Sequence, residues 1–219
     1  PKGIVVSHRS VINMAERFTE TFKIDEGTVF GNQAPFDFDV SVKDIYLTLK
    51  NGAATHILPQ DSFTFTQRLM ETINARRINT LVWSVSAMKI VSSLGTFPDY
   101  RPEHVRLVMF SGEVLPVKVL NEWRENLPGA EFVNLYGPTE ITCNCAYYKI
   151  DRDFALDERI PIGRAFRNTE ILLLDEDRLV TEPHQTGELC VRGTSLAHGY
   201  YNNPEQTAAA FMQNPLQRS

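Results

Sequence analysis

No run of apolar residues approaches the roughly 18 needed to cross a bilayer as a helix, so insertion into a membrane is not expected. Cysteine is scarce: only Cys143, Cys145 and Cys190 occur. An odd, sparse set argues against a disulfide framework and fits a reducing, cytoplasmic compartment. The Cys143-Asn144-Cys145 spacing is wrong for a zinc knuckle. If that segment is a strand, residues two apart share a face, which makes the pair two thiols of a core or pocket wall. Runs of Lys or Arg are also missing, and the net charge is −5. Nucleic acid and anionic membranes are thereby disfavoured as main partners. There is no internal repeat, low-complexity segment or recognisable leader. The chain opens without Met at Pro1-Lys2-Gly3, in what reads as a loop. It closes at Gln217-Arg218-Ser219 after a polar turn, so both ends read as cut.

What is present is ordinary globular material, 42% hydrophobic and 22% charged over 219 residues, ample for a sizeable core. Val11, Met14, Ala15, Phe18 and Phe22 recur at helical spacing after Ser7, a suitable N-cap. Short apolar runs at 28–30, 55–58, 80–83, 105–110 and 132–135 read as buried strands. Between them, 41–50, 65–77, 87–94 and 116–127 read as helices, the last with Pro116 in its first turn. This alternation predicts an α/β fold whose mostly parallel sheet is flanked by helices over residues 1–150. After Tyr148 the texture changes. Charged linkers and short strands at 170–175 and 188–192, with turns such as Glu176-Asp177, predict a small antiparallel β unit over 151–219. Pro204 to Phe211 reads as a short helix after it, and no helix is expected from 151 to 203.

Ligands of parallel sheets bind beyond the carboxyl ends of the strands. Three unusual strings fall at such ends: Ser111-Gly112-Glu113-Val114-Leu115-Pro116, Tyr136-Gly137-Pro138-Thr139-Glu140 and Phe36-Asp37-Phe38-Asp39-Val40-Ser41. Glycine permits close ligand approach. Tyrosine offers a stacking face, threonine a hydroxyl, and glutamate a hard oxygen for Mg²⁺. Together these side chains could hold a nucleotide and a metal; each string alone also reads as a tight turn.

The ordered set resembles the AMP-forming adenylation superfamily of acyl-CoA synthetases, luciferases and amino-acid adenylation domains. Tyr136-Gly137-Pro138-Thr139-Glu140 matches its most diagnostic string. Pro1-Lys2-Gly3 resembles the tail of its phosphate loop. Phe38-Asp39-Val40-Ser41 is similar to the Phe-Asp-x-Ser motif of the amino-acid branch. Gly187-Glu188-Leu189-Cys190-Val191-Arg192-Gly193, followed by Ala197-His198-Gly199-Tyr200-Tyr201, resembles the motif of its β-barrel, of which 151–219 would form part. Phe110-Ser111-Gly112-Glu113-Val114-Leu115-Pro116 looks like the D-alanine–carrier protein ligases, with adenylation domains of nonribosomal peptide synthetases close behind.

The resemblance implies roles. Thr139 and Glu140 would contact the substrate carboxylate or α-phosphate and the Mg²⁺. Tyr136 would stack on adenine, Asn134 would hydrogen-bond its exocyclic amine, and Gly112, Glu113, Val114 and Gly137 would line the slot. Lys2 would lie near the ATP phosphates. Asp39 would pair with the substrate ammonium, the alternative being the N-cap of the following helix. Val40, Lys43, Trp83, Met109, Ser111, Leu135, Cys143 and Asn144 would form the side-chain pocket, with solvent the alternative for Lys43. Trp83 and Met109 would partly fill that pocket, which favours a modest substrate, D-alanine first.

The implied reaction is ATP-dependent formation of an aminoacyl adenylate, then transfer to the phosphopantetheine thiol of a carrier protein. The alternatives are an acyl- or aryl-CoA synthetase and a non-catalytic nucleotide-binding scaffold. The family's phosphate loop, its ribose-gripping Tyr-x-Thr-Gly-Asp segment and its C-terminal lid domain do not occur in these residues. The chain alone is therefore expected to be nearly inactive, and a barrel missing strands to pair its edges with a second copy.

Overall fold

The computed structural model describes residues 2–176 and 178–214. Pro1 of the expected phosphate-loop tail, Asp177 of the expected turn and residues 215–219 lie outside the described residues. The elements in chain order are β1 (Ile4–Val5), α1 (His8–Phe22), β2 (Val29–Asn32), α2 (Val40–Asn51), β3 (Ala54–Ile57), α3 (Thr66–Ala75), β4 (Thr80–Ser84), α4 (Val85–Ser93), β5 (Leu107–Ser111) and α5 (Val117–Asn126). There follow β6 (Glu131–Tyr136), β7 (Ala146–Lys149), β8 (Arg164–Ala165), β9 (Thr169–Asp175), β10 (Arg178–Leu179), β11 (Glu188–Gly193), β12 (Gly199–Tyr200) and α6 (Pro204–Ala210).

The caps explain where helices begin and end. Ser7 Oγ accepts from the Ser10 amide at 3.0 Å and starts α1. Ser84 does the same for α4 through the Ala87 amide at 3.2 Å. Gly52 closes α2 in the left-handed conformation. Pro116 precedes α5 as its N-cap, one residue before the expected first turn.

The main sheet has seven strands in the order β3-β2-β4-β5-β6-β7-β8. The first five are parallel, and β7 and β8 add antiparallel to the β6 edge. The sheet therefore takes in Arg164–Ala165, beyond the change of texture seen in the sequence near 150. Strands β10, β9 and β11 form a separate antiparallel sheet, and β1 pairs with β12, joining residues near both ends of the described chain. No helix among the described residues is long and apolar enough to cross a membrane.

Alternation along the strands creates two cores. On one face Leu81, Trp83, Val108, Phe110 and Phe132 pack with Trp123, Phe97 and Met88 of the α3–α5 side. On the other, Phe30, Val82, Met109, Val133 and Leu135 pack with Met14, Phe18 and Leu47 of α1 and α2.

This alternation corrects one expectation. Trp83 stands in register with Phe110, one residue past the Val82–Met109 pair, and so projects to the opposite face from Met109. It is fully buried, donates its indole N–H to the Gly31 carbonyl at 2.8 Å, and packs edge-on against Phe63 and Trp123. Trp83 therefore cannot share a pocket wall with Met109. Replacing Trp83 by Ala is expected to cost about 3–5 kcal/mol of stability. Trp83→Phe should lower the urea midpoint without altering which substrates the protein selects. An altered selectivity would return Trp83 to the pocket.

Candidate active site

The carboxyl ends of β2, β5 and β6 meet at one edge of the sheet, and the three singled-out strings converge there. A cleft of about 390 Å³ is lined by Gly112, Glu113, Val114, Asn134, Tyr136 and Gly137, together with Ile160 and Ile162. It collects all six residues expected to hold the adenine. Gly112 has φ of 99° with open space where a Cβ would stand, so backbone is presented to the cleft. At Gly137 a Cβ would meet the Asn144 Cα at 2.5 Å, so only glycine lets the loop 142–145 pass. The Asn134 amide donates to the Pro161 carbonyl at 2.9 Å, leaving its Oδ1 as the acceptor for an amine. Tyr136 keeps its ring partly exposed beside the cleft.

Glu113 points its carboxylate out of the slot. Its Oε1 accepts from Ser86 Oγ at 2.5 Å and its Oε2 lies 3.5 Å from Lys89 Nζ. The Ser86 hydroxyl first, then the Lys89 ammonium, hold that carboxyl below its usual range. Glu113 lines the slot while its charge is spent on α4.

Beside the cleft, Glu140 Oε1 accepts from Tyr200 Oη at 2.6 Å and lies 3.9 Å from Lys2 Nζ, which itself sits 5.2 Å over the Tyr200 ring. The hydrogen bond to Glu140 raises the Tyr200 phenol. Thus β1 and β12 bring a lysine and a tyrosine, from opposite ends of the chain, to one carboxylate. Among the described residues Glu140 Oε2 has no partner, and the Thr139 hydroxyl makes no hydrogen bond. No cluster of three or more His, Cys, Asp or Glu stands ready for a metal among the described residues. A single carboxylate with one free oxygen fits Mg²⁺, which usually keeps its waters and takes substrate phosphates as further ligands.

The third group lies under α1 and α2. Asp39 occupies the N-cap position of α2, but with helical φ and ψ and no side-chain cap bond. Its carboxylate is therefore not spent on capping, and among the described residues it takes no hydrogen bond or ion pair. Cys143 Sγ donates to the Asp39 carbonyl at 3.1 Å. Lys43 is buried, not solvent-facing, and its Nζ donates to Asn144 Oδ1 at 3.0 Å. Asp39, Lys43, Cys143 and Asn144 thus come together, and Met109, Ser111 and Leu135 are buried on that same face of the sheet. Val40, half-buried, follows Asp39 at the start of α2.

Cys143 does not lie on a strand as its spacing from Cys145 suggests. Thr142 and Cys143 both have positive φ, at 56° and 75°, and form a tight loop ahead of β7. Such backbone persists only where surroundings hold it. Burial pushes the Cys143 thiol up to about 11, so it stays protonated at neutral pH and serves as wall rather than nucleophile.

Three contributors to the site escaped sequence reading. Arg17 of α1 is fully buried. Its guanidinium donates to the carbonyls of Asn144 at 2.6 Å and Thr142 at 3.4 Å, and to Thr169 Oγ1 at 2.9 Å, and stacks 4.9 Å from the Phe166 ring. Burial lowers it to about 10, so it remains charged at neutral pH. The available signal was a lone arginine three residues after Met14 and beside Phe18, on the apolar face of α1. Asp44 of α2 is the second: Oδ2 accepts from Asn32 Nδ2 at 2.8 Å, while buried Oδ1 has no partner. Tyr200 is the third.

These motifs match known proteins. The profile of the AMP-binding enzyme family fits residues 1–201. The chain belongs to the AMP-binding enzyme family. It is 32% identical over 216 residues to tyrocidine synthase 2 of Brevibacillus parabrevis, covering 99% of this chain and 6% of that protein. It is 31% identical over 215 residues to a D-alanine–D-alanyl carrier protein ligase of Bacillus licheniformis, covering 96% of this chain and 42% of the ligase. The crystal structure of CmiS6 superposes with a TM-score of 0.90 at 32% identity, over 99% of this chain and 52% of that one. The nonribosomal peptide synthetase FmoA3 superposes at 0.87 with 28% identity, over 98% of this chain and 23% of its own. The chain therefore spans less than half of the two curated relatives, and its fold is that of an adenylation-domain segment.

Burial raises the Asp44 carboxyl to about 7, offset by the Asn32 hydrogen bond and by Lys43. The folded state thus holds a proton that the unfolded chain releases near pH 4. Stability contributed by this group is present below about pH 4 and falls as pH rises toward about 7, after which it is constant. Asp44→Asn should remove that fall, so the urea-midpoint difference between variant and wild type should widen from pH 4.5 to 7.5. Each tenfold displacement of the proton equilibrium corresponds to about 1.4 kcal/mol. A constant difference across that range would show that Asp44 ionises normally in the fold.

Proposed function

We propose that the protein carrying this chain activates an amino acid with ATP and Mg²⁺ as an aminoacyl adenylate, then passes the acyl group to the phosphopantetheine thiol of a carrier protein. The observation that carries this reading is the unspent Asp39 carboxylate beside the Cys143–Asn144 loop, on the same sheet edge as the Gly112–Tyr136 cleft. An ammonium at Asp39 compensates a carboxylate that is otherwise costly to shield from water. Relatives named as a carrier-protein ligase and a peptide synthetase support the transfer step.

In this reading a substrate carboxylate oxygen attacks the α-phosphorus, a new P–O bond forms, and the bond to pyrophosphate breaks. Two anions must approach, so the work of the chain is positioning and charge neutralisation. Tyr136 and the Gly112–Val114 backbone seat the base and Asn134 selects its amine. Thr139 donates its free hydroxyl to the reacting oxygens, and Lys2 faces the phosphates. Mg²⁺, when bound through Glu140, would offset charge on the phosphate oxygens. An acyl- or aryl-CoA synthetase is the weaker reading, since a fatty or aryl acid has no ammonium for Asp39. A non-catalytic scaffold is weaker still, with Thr139 and Glu140 intact. The free edges of the β10-β9-β11 sheet are a surface for self-association.

Asp39→Ala is expected to cost about 3–5 kcal/mol in binding the ammonium. ATP–pyrophosphate exchange by the full-length protein should fall at least a hundredfold with amino acids, with the melting temperature retained. Unchanged exchange would move the reading to the acyl-CoA branch. Glu140→Gln should depress turnover far more than amino-acid affinity, because the charge it manages develops in the transition state. Normal turnover in that variant would make Glu140 structural.

A further inference from the structure

Among the described residues, no carboxylate lies within ion-pair distance of the Lys43 ammonium, and Asp44 acts on it only through space. Lys43 is 1% exposed, and its only hydrogen bond among the described residues is to the neutral amide oxygen of Asn144. An ammonium has three donors and is costly to bury without a countercharge. The adjacent Asp44 supplies no direct one. Asp44 turns one oxygen to Asn32 and, among the described residues, the other accepts no hydrogen bond in the interior. Arg17, a second buried cation in the cluster, donates to two carbonyls and a hydroxyl and stacks on Phe166, with no carboxylate partner among the described residues. Burial raises the Asp44 carboxyl to about 7, so below that pH it offsets the two cations only in part.

Asp39 and Lys43 are spaced four apart at the start of α2, hence on one face and about 6 Å apart along the axis. They nevertheless do not pair: among the described residues the Asp39 carboxylate takes no hydrogen bond or ion pair, and Lys43 reaches across to the 142–144 loop. A carboxylate and an ammonium held apart at this spacing form a two-ended receptor. We propose that the substrate of this site is an amino acid with a short acidic side chain, its ammonium on Asp39 and its side-chain carboxylate on Lys43. The inference rests on the amino-acid reading above and names its substrate class. The methyl side chain of D-alanine would leave the Lys43 charge uncompensated. A carboxylate instead takes the two unused donors of Lys43, or displaces Asn144 Oδ1 from it. Met109 and Leu135, both apolar and buried on this face, limit the length of the side chain.

The test is ATP–pyrophosphate exchange by the full-length protein carrying this chain, with alanine, leucine, aspartate, glutamate, asparagine and glutamine, each in both chiralities. Aspartate or glutamate should exceed its own amide by at least tenfold, a comparison that needs no variant. Lys43→Met should lose at least a hundredfold with the acidic substrate and gain activity with its amide. Asn144→Asp supplies Lys43 with an internal anion; it should raise the melting temperature of the free protein and abolish the preference for the acid. If Lys43→Met fails to fold, the acid-to-amide ratio of the wild type and the Asn144→Asp variant still decide. Exchange with alanine or leucine in preference to both acids would overturn the proposal and leave the amino-acid reading intact. Exchange with no amino acid would overturn both.

Discussion

The buried guanidinium of Arg17 joins parts of the chain that share no sheet. From α1 it holds the carbonyls of Thr142 and Asn144, the hydroxyl of Thr169 at the start of β9, and the face of Phe166. The 142–144 loop contains two consecutive non-glycine residues in the left-handed region, a conformation costing of order 1–3 kcal/mol each when unsupported. Charge-assisted bonds to its carbonyls offset that cost. Through this loop the guanidinium also sets where Cys143 meets Asp39 and where Asn144 meets Lys43. Beside it, Ser195 Oγ donates to Asn13 Oδ1 and Thr142 Oγ1 to the Ser195 carbonyl, so α1 organises one wall of the site from outside the sheet.

The two halves of the site are built differently. The cleft proposed for the nucleotide is backbone-rich, with glycines at Gly112 and Gly137 and hydrophobic walls from Leu115 and Ile160. A planar base can be recognised there by shape and one hydrogen bond from each side. The substrate side is side-chain-rich and charged, with Asp39, Lys43, Asp44 and Arg17 gathered about Asn144. Glu140 stands at the cleft, tied by Tyr200 and Lys2 from the strand pair β1–β12. That pair belongs to neither larger sheet, so the orientation of Glu140 depends on residues near both ends of the described chain. The substrate side carries the specificity question because charge buried there has few ways to be balanced.

Much of this was legible without coordinates. The central runs at 80–83 and 107–110 were largely apolar because both faces of those parallel strands are covered, whereas β3 at the sheet edge leaves Ile57 exposed; helix starts at Ser7 and before Val117 followed from cap chemistry. The strings at Ser111–Pro116 and Tyr136–Glu140 stood out because glycine, proline and a carboxylate at strand ends serve no core. Strand 164–165 was not legible: two residues carry no periodic signal, and their pairing with β7 is decided by partners distant in sequence. The 142–145 segment misled, because alternating cysteines imitate a strand while positive φ at two non-glycines leaves no mark in composition.

Residue types, their order and the local periods of the chain determined the α/β class, the parallel strands and the strings that line the cleft. These depend on short-range spacing and on chemistry confined to one segment. Which face each side chain took was left to tertiary structure. Trp83 and Met109 lie on adjacent strands and could be assigned to one pocket, yet the one-residue offset in register sends them to opposite cores. Lys43 could equally have faced water. Only the packing of α2 against the 142–144 loop buries its ammonium on an amide and leaves Asp39 free. A buried charge depends on what surrounds it in three dimensions, and that environment is assembled from residues more than a hundred positions apart.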